Sequence, residues 1–178
     1  MKNIAVIPND LRDIDLAETK KIIEILRGYK ANIFAEKKFA SRLGGGISFG
    51  TTEQILRGAD AAVVLGGDGT ILGIAPQAAV FGVPIIGINL GNLGFLSQAE
   101  KGDYSIFEHL FSDDYSVTSC MMLDAVIVKQ GVEGERFLAL NEIVAAAGGA
   151  SKMINVTAAV NGTNIGSYSA DGLIVATA

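Results

Sequence analysis

The sequence predicts an α/β protein, with a parallel sheet carrying helices on its faces over residues 1–115 and the start of an all-β region over 116–178. Three observations predict it. Short apolar runs alternate with helix-period stretches in the first part. Two of those runs end directly in Gly-rich turns, as strands of a parallel sheet do when they feed helices. After about Asp114 the helical periodicity gives way to residue-by-residue alternation.

Taken in order, Ile4–Ile7 reads as a buried strand ending at Pro8. From Asp15 to Leu26, residues Leu16, Thr19, Ile22, Ile23 and Leu26 form a helical stripe with polar residues between, and Gly28 marks its stop. Ala31–Ala35 is a second strand, and 42–50, with Gly44, Gly45 and Gly46, reads as a mobile loop. Thr51–Arg57 is a short helix capped by Thr51 or Thr52. The all-apolar strand Ala61–Leu65 runs into Gly66-Gly67-Asp68-Gly69-Thr70, and a helix is expected from Thr70, divided at Pro76. Val83–Asn89 is another strand, followed by a loop to Leu96 and a helix over Tyr104–Phe111. Beyond it, 121–129, 137–144, 154–160 and 173–176 read as strands, with a polar turn at Gly131–Gly134 and an Asn161-Gly162 hairpin turn.

Hydrophobic residues make up 49% of the 178 and Gly occurs 22 times, a composition for a compact fold with many tight turns. A net charge of -5 gives no electrostatic footprint for nucleic acid or an anionic membrane, so neither is expected as a partner. Small anions are another matter, because backbone N–H groups and a helix terminus bind phosphate without a basic surface. Lone Cys120 and lone His109 exclude a disulfide scaffold and Cys- or His-rich metal centres. Cys120 reads as a small core residue and His109 as a helix-surface residue. The first residues lack signal-peptide features, and 61–95 is too interrupted for a membrane span, so the cytoplasm is the default address.

The candidate site lies at the first Gly-rich turn. Gly66, Gly67 and Gly69 let the backbone approach a phosphate, and Thr70 can cap a helix whose free N–H groups face the anion. Asp68 is the informative residue, since a carboxylate beside an anion-binding turn repels the ligand unless it serves a metal or a nucleophilic hydroxyl. The bland alternative is a tight turn with a capping Asp. Neither GxGxxG nor GxxxxGK[ST] occurs, which argues against an ordinary dehydrogenase and a Walker-type ATPase. In the second loop, Asn89 either binds ligand or satisfies the turn, Gly91 gives close backbone approach, and Phe95 is core or a stacking platform. Asn141 and Glu142, polar in a strand context, call for a partner such as a ribose diol. Asp171, before Gly172, is a ligand contact or part of a β-turn.

Gly66-Gly67-Asp68-Gly69-Thr70, then 87–96 (GINLGNLGFL), Leu140-Asn141-Glu142 and 170–177 (ADGLIVAT), in that order, resemble the NAD kinase family. The first motif alone also resembles diacylglycerol kinases, sphingosine kinases and phosphofructokinases. The resemblance implies transfer of the ATP γ-phosphate to the adenosine-ribose 2′-hydroxyl of NAD, with Mg²⁺. A lipid kinase or a non-catalytic nucleotide-binding module are the alternatives. It implies that Asp68 activates or orients that hydroxyl and that Gly66, Gly67, Gly69 and Thr70 form the phosphate-side turn. Phe95 then lies near the adenine, Asn141 and Glu142 hold ribose and base, and Asp171 contacts the nicotinamide part. Position 92 is Asn where many relatives carry His or a longer polar residue, and Cys120-Met121 stand near where an arginine is frequent. The resemblance further implies a longer chain, a homo-oligomer when full length, so these 178 residues are expected to be C-terminally truncated and weakly active or inactive alone. Leu123, Ile127, Val156, Val160 and Val175 are expected to line the uncovered face.

Overall fold

The computed structural model describes residues 2–91, 94–148 and 153–177. It divides into two compact units, Met1–Ser119 and Cys120–Ala178.

In the first unit the strands are β1 (Asn3–Pro8), β2 (Asn32–Glu36), β3 (Ser48–Gly50), β4 (Ala61–Gly66), β5 (Ile85–Asn89) and β6 (Ala99–Glu100). They form one six-stranded sheet in the order β3-β2-β1-β4-β5-β6. Every pairing in it is parallel. The helices are α1 (Ala17–Gly28), α2 (Ala40–Leu43), α3 (Thr52–Arg57), α4 (Asp68–Phe81) and α5 (Ile106–Phe111). Strands buried on both faces explain the unbroken apolar runs. In β1 and β4, Ile4, Val6, Ala61, Val63 and Leu65 pack on one face with Ile22, Ile23, Leu26, Phe107 and Leu110 from α1 and α5. Ala5, Ile7, Ala62 and Val64 pack on the other with Ile55 and Leu56 from α3 and Ile71, Ile74 and Ala78 from α4. The layers are therefore helix, sheet, helix.

Several expectations are corrected here. The segment 42–50 contains the end of α2 and the parallel edge strand β3, whose Phe49 packs against the core, so it is not simply a loop. Helix α1 begins at Ala17, because Leu16 takes a left-handed φ of 53° and the Asp13 carboxylate accepts from the N–H groups of Glu18 and Thr19. Helix α4 begins at Asp68, with Gly67 at its N-cap, and runs unbroken through Pro76 to Phe81. Cys120 is exposed.

The second unit contains β7 (Leu123–Lys129), β8 (Val132–Ala139), β9 (Glu142–Ala146), β10 (Ile154–Val160), β11 (Thr163–Ala170) and β12 (Gly172–Ala176), all antiparallel in pairs β7–β8, β10–β11 and β9–β12. Asn161 and Gly162 both take positive φ, 51° and 79°, as a two-residue hairpin turn requires. The other tight turn is Gln130-Gly131, not Gly131–Gly134, with φ of 52° and 79°. The run 137–144 is not one strand. It breaks at Leu140-Asn141, whose carbonyls both accept from the Thr177 hydroxyl. None of the described residues of this unit is buried. No described helix is long and apolar enough to cross a membrane.

Candidate active site

The strand order reverses between β1 and β4, and in open parallel sheets the crevice at the carboxyl ends of such a strand pair is where ligands bind. β4 ends at Gly66 and delivers Gly67 to the N-cap of α4. The first N–H groups of α4 have no preceding turn to bond, so the positive end of a 14-residue helix faces this crevice. A Cβ on Gly66 would lie 2.2 Å from Thr70 Oγ1, so only glycine fits there. Thr70 is not the N-cap residue itself, which is Gly67, but its hydroxyl accepts from Gly67 N–H at 3.5 Å. It is the third helical residue, and its hydroxyl accepts from Asn9 Nδ2 at 2.8 Å, tying the loop after β1 to the turn after β4.

Asp68 does more than the sequence suggests. Its Oδ2 accepts from Phe95 N–H at 2.9 Å and its Oδ1 from Leu96 N–H at 3.1 Å. The carboxylate thus holds the loop after β5 around itself, while a carboxylate's remaining lone-pair sites stay available. Gly94 makes this wrapping possible, because a Cβ there would lie 2.1 Å from Asp68 Oδ1. Phe95, weighed as core or platform, is fully exposed. Asn89 ends β5 buried, its Nδ2 donating to the Gly91 carbonyl and its Oδ1 accepting from Gly91 N–H, each at 3.2 Å. That geometry is the turn-satisfying one. Asn92 lies outside the described residues.

Sequence reading missed two residues of the loop after β1. One is Asn9, which also accepts from Leu11 N–H at 3.0 Å. The other is Arg12, whose Nη1 would be 2.9 Å from a Cβ on Gly67 and 2.7 Å from one on Gly91. An Asn directly after a buried strand, with a basic residue three positions on, was the available signal, and only the strand order showed that this loop faces the Gly-rich turns.

Residues 21–115 match the profile of the ATP-NAD kinase N-terminal domain, more than half of the chain. The chain belongs to the NAD kinase family. An NAD kinase of Caldanaerobacter subterraneus subsp. tengcongensis is 38% identical over 178 residues, covering 99% of this chain and 63% of that relative. One from Heliobacterium modesticaldum is 46% identical over 121 residues, covering 67% of this chain and 43% of the relative. Among solved structures, yeast NADH kinase complexed with NADH superposes with a TM-score of 0.82 at 20% identity, over 99% of this chain and 57% of that one. At that identity the likeness concerns the fold. The matches thus cover 63% of the first of these NAD kinase relatives and 43% of the second.

The family's remaining candidate residues lie in the second unit. Asn141 sits in the break before β9, Glu142 opens β9, and both are exposed. Among the described residues neither side chain is hydrogen-bonded. Glu142 pairs with Ala176, and Gly172 with Ala146. Asp171 precedes Gly172, so Asp171 and Glu142 stand at opposite ends of the β9–β12 ladder, roughly 17 Å apart along the strands at ~3.3 Å per residue.

Proposed function

We propose that the protein is an ATP-dependent NAD kinase that transfers the ATP γ-phosphate to the 2′-hydroxyl of the adenosine ribose of NAD. The observation that carries this reading is the position of Asp68: first residue of α4, at the switch point, with its carboxylate fixed by two backbone N–H groups. A carboxylate so held accepts and orients an incoming hydroxyl without first losing side-chain freedom. The phosphate side is the turn at Gly66, Gly67, Gly69 and Thr70, where backbone donors offset charge on the group in transfer. Exposed Phe95, on the loop that Asp68 holds, is available to stack on adenine, and Gly91 would bring its backbone close to the ligand. Asn141 and Glu142 would take ribose and base, and Asp171 the nicotinamide end.

Among the described residues no three His, Cys, Asp or Glu side chains converge on a metal position. Mg²⁺ carried on the nucleotide phosphates, with few protein ligands, would neutralise phosphate charge. We assign the protein to the cytoplasm, acting on small nucleotides and, when full length, as a homo-oligomer.

The test is NADP formation by the purified protein as encoded from start to stop codon, with NAD and diacylglycerol compared as acceptors. Asp68→Asn should lower kcat by ~10²–10⁴-fold, the range for loss of a positioned acid–base group. Unchanged NADP production in that variant removes Asp68 from the chemistry. Phosphorylation of diacylglycerol but not NAD makes the protein a lipid kinase.

A further inference from the structure

We propose that Arg12 binds the phosphate chain of the phosphoryl donor, which makes it a substrate-binding residue that no sequence motif of the site contains. The inference rests on the kinase reading above. Two turns leave the crevice, one at Gly67 and one at Gly91, and a Cβ on either would meet Arg12 Nη1, at 2.9 Å and 2.7 Å. The guanidinium therefore lies across both backbones, in the space their missing side chains would occupy. Its base is fixed from both sides. Asn9 anchors to Thr70, and its carbonyl accepts from the N–H groups of Arg12 at 3.1 Å and Asp13 at 2.9 Å. The Asp13 carboxylate is committed to α1, accepting from Glu18 N–H, Thr19 N–H and the Thr19 hydroxyl. Asp13 is thus not the counter-ion of its neighbour.

No carboxylate or carbonyl among the described residues accepts a hydrogen bond from this guanidinium. Asp68, the acidic residue next to Gly67, accepts from Phe95 and Leu96 N–H and not from Arg12. A guanidinium lying against the N-cap of α4 also meets the positive end of the helix dipole, which is unfavourable without an anion between them. Cation, helix terminus and glycine backbone together make a complete phosphate site, and the planar fork of Arg suits two phosphate oxygens at once. The donor is the source of that phosphate. The group in transit must lie beside Asp68, and Gly67 under Arg12 is the residue before it.

The test compares wild type, Arg12→Gln and Arg12→Lys in the protein as encoded, varying ATP and NAD separately. Loss of a charged hydrogen-bond donor predicts a KM for ATP raised ~10–100-fold in Arg12→Gln. The KM for NAD and the melting temperature should hold, and Arg12→Lys should recover part of the loss. A rise confined to NAD, or equal rises in both KM values with a lower melting temperature, overturns the proposal. If the wild type makes no NADP, the kinase reading fails by itself, and Arg12 is then judged by titrating tripolyphosphate. Weaker binding to Arg12→Gln than to wild type supports the phosphate role, and equal binding overturns it.

Discussion

Gly94 and Asp68 form one unit of design. The loop Gly94-Phe95-Leu96 closes around the Asp68 carboxylate, and the closest approach, at Gly94, leaves no room for a Cβ. Gly94→Ala should push the carboxylate off both N–H groups, costing ~1–3 kcal/mol of stability as overpacking does. It should also cost at least ~10²-fold in rate, since a reacting group displaced by ~1 Å loses about that much. Gly73→Ala is the control: it lies in α4 with nothing within 4 Å of its Cβ position, so it should be neutral or stabilising by up to ~1 kcal/mol. Thermal melts and the NADP assay on both variants decide it, and a Gly94→Ala protein as active as Gly73→Ala would refute the account. The residue types of this site were legible in the sequence. The two N–H groups that occupy Asp68 were not, because they come from a loop 27 and 28 residues away.

Elements show where local chemistry was sufficient. Of the two candidate caps for α3, Thr51 takes the role: its hydroxyl accepts from Gln54 N–H at 3.3 Å, and Gln54 Oε1 accepts from Thr51 N–H at 2.9 Å. Thr52 instead donates to Glu36 Oε1 at 2.8 Å, a link to the end of β2. Thr51→Ala should destabilise the protein by about 1 kcal/mol, read as a lower urea midpoint at unchanged slope. Pro76 shows the opposite case. Its missing N–H predicted a break, yet α4 continues across it, because Ile71, Ile74, Ala75 and Ala78 anchor the helix on both sides of the proline.

At the scale of the molecule, one long-range contact joins α1 to the turn before α5. Glu18 is almost fully buried, although its place in the helical stripe reads as polar and solvated, and the Tyr104 hydroxyl donates to it across 86 positions of sequence. Burial, then the hydrogen bond to Glu18 and the charge of Glu18, push the Tyr104 phenol up to about 12. The folded state therefore keeps its proton where the unfolded chain, titrating near 10, gives it up. That contribution to stability is complete below pH 10 and is lost as pH rises from 10 towards 12. Tyr104→Phe should flatten the fall in stability across that window, as measured by denaturant titrations at successive pH values. An unchanged slope would show that Tyr104 is not its source.

By itself, the sequence determined the alternation of strands and helices, the Asn161-Gly162 hairpin and the Gly-rich turn bearing Asp68, because each is written in neighbouring residues. Tertiary structure decided the rest. Nothing local says that β1 lies beside β4, and that adjacency brings Asn9 and Arg12 to the glycine turns. It also made β3 an edge strand, since a three-residue segment gains strand geometry only by pairing with β2. Phe95 is exposed for the same reason: its backbone is held by Asp68, whose position depends on the register of β4 against β5. Periodicity reports which face a residue presents, but which elements meet is set by burial of both sheet faces at once, a property of the whole chain.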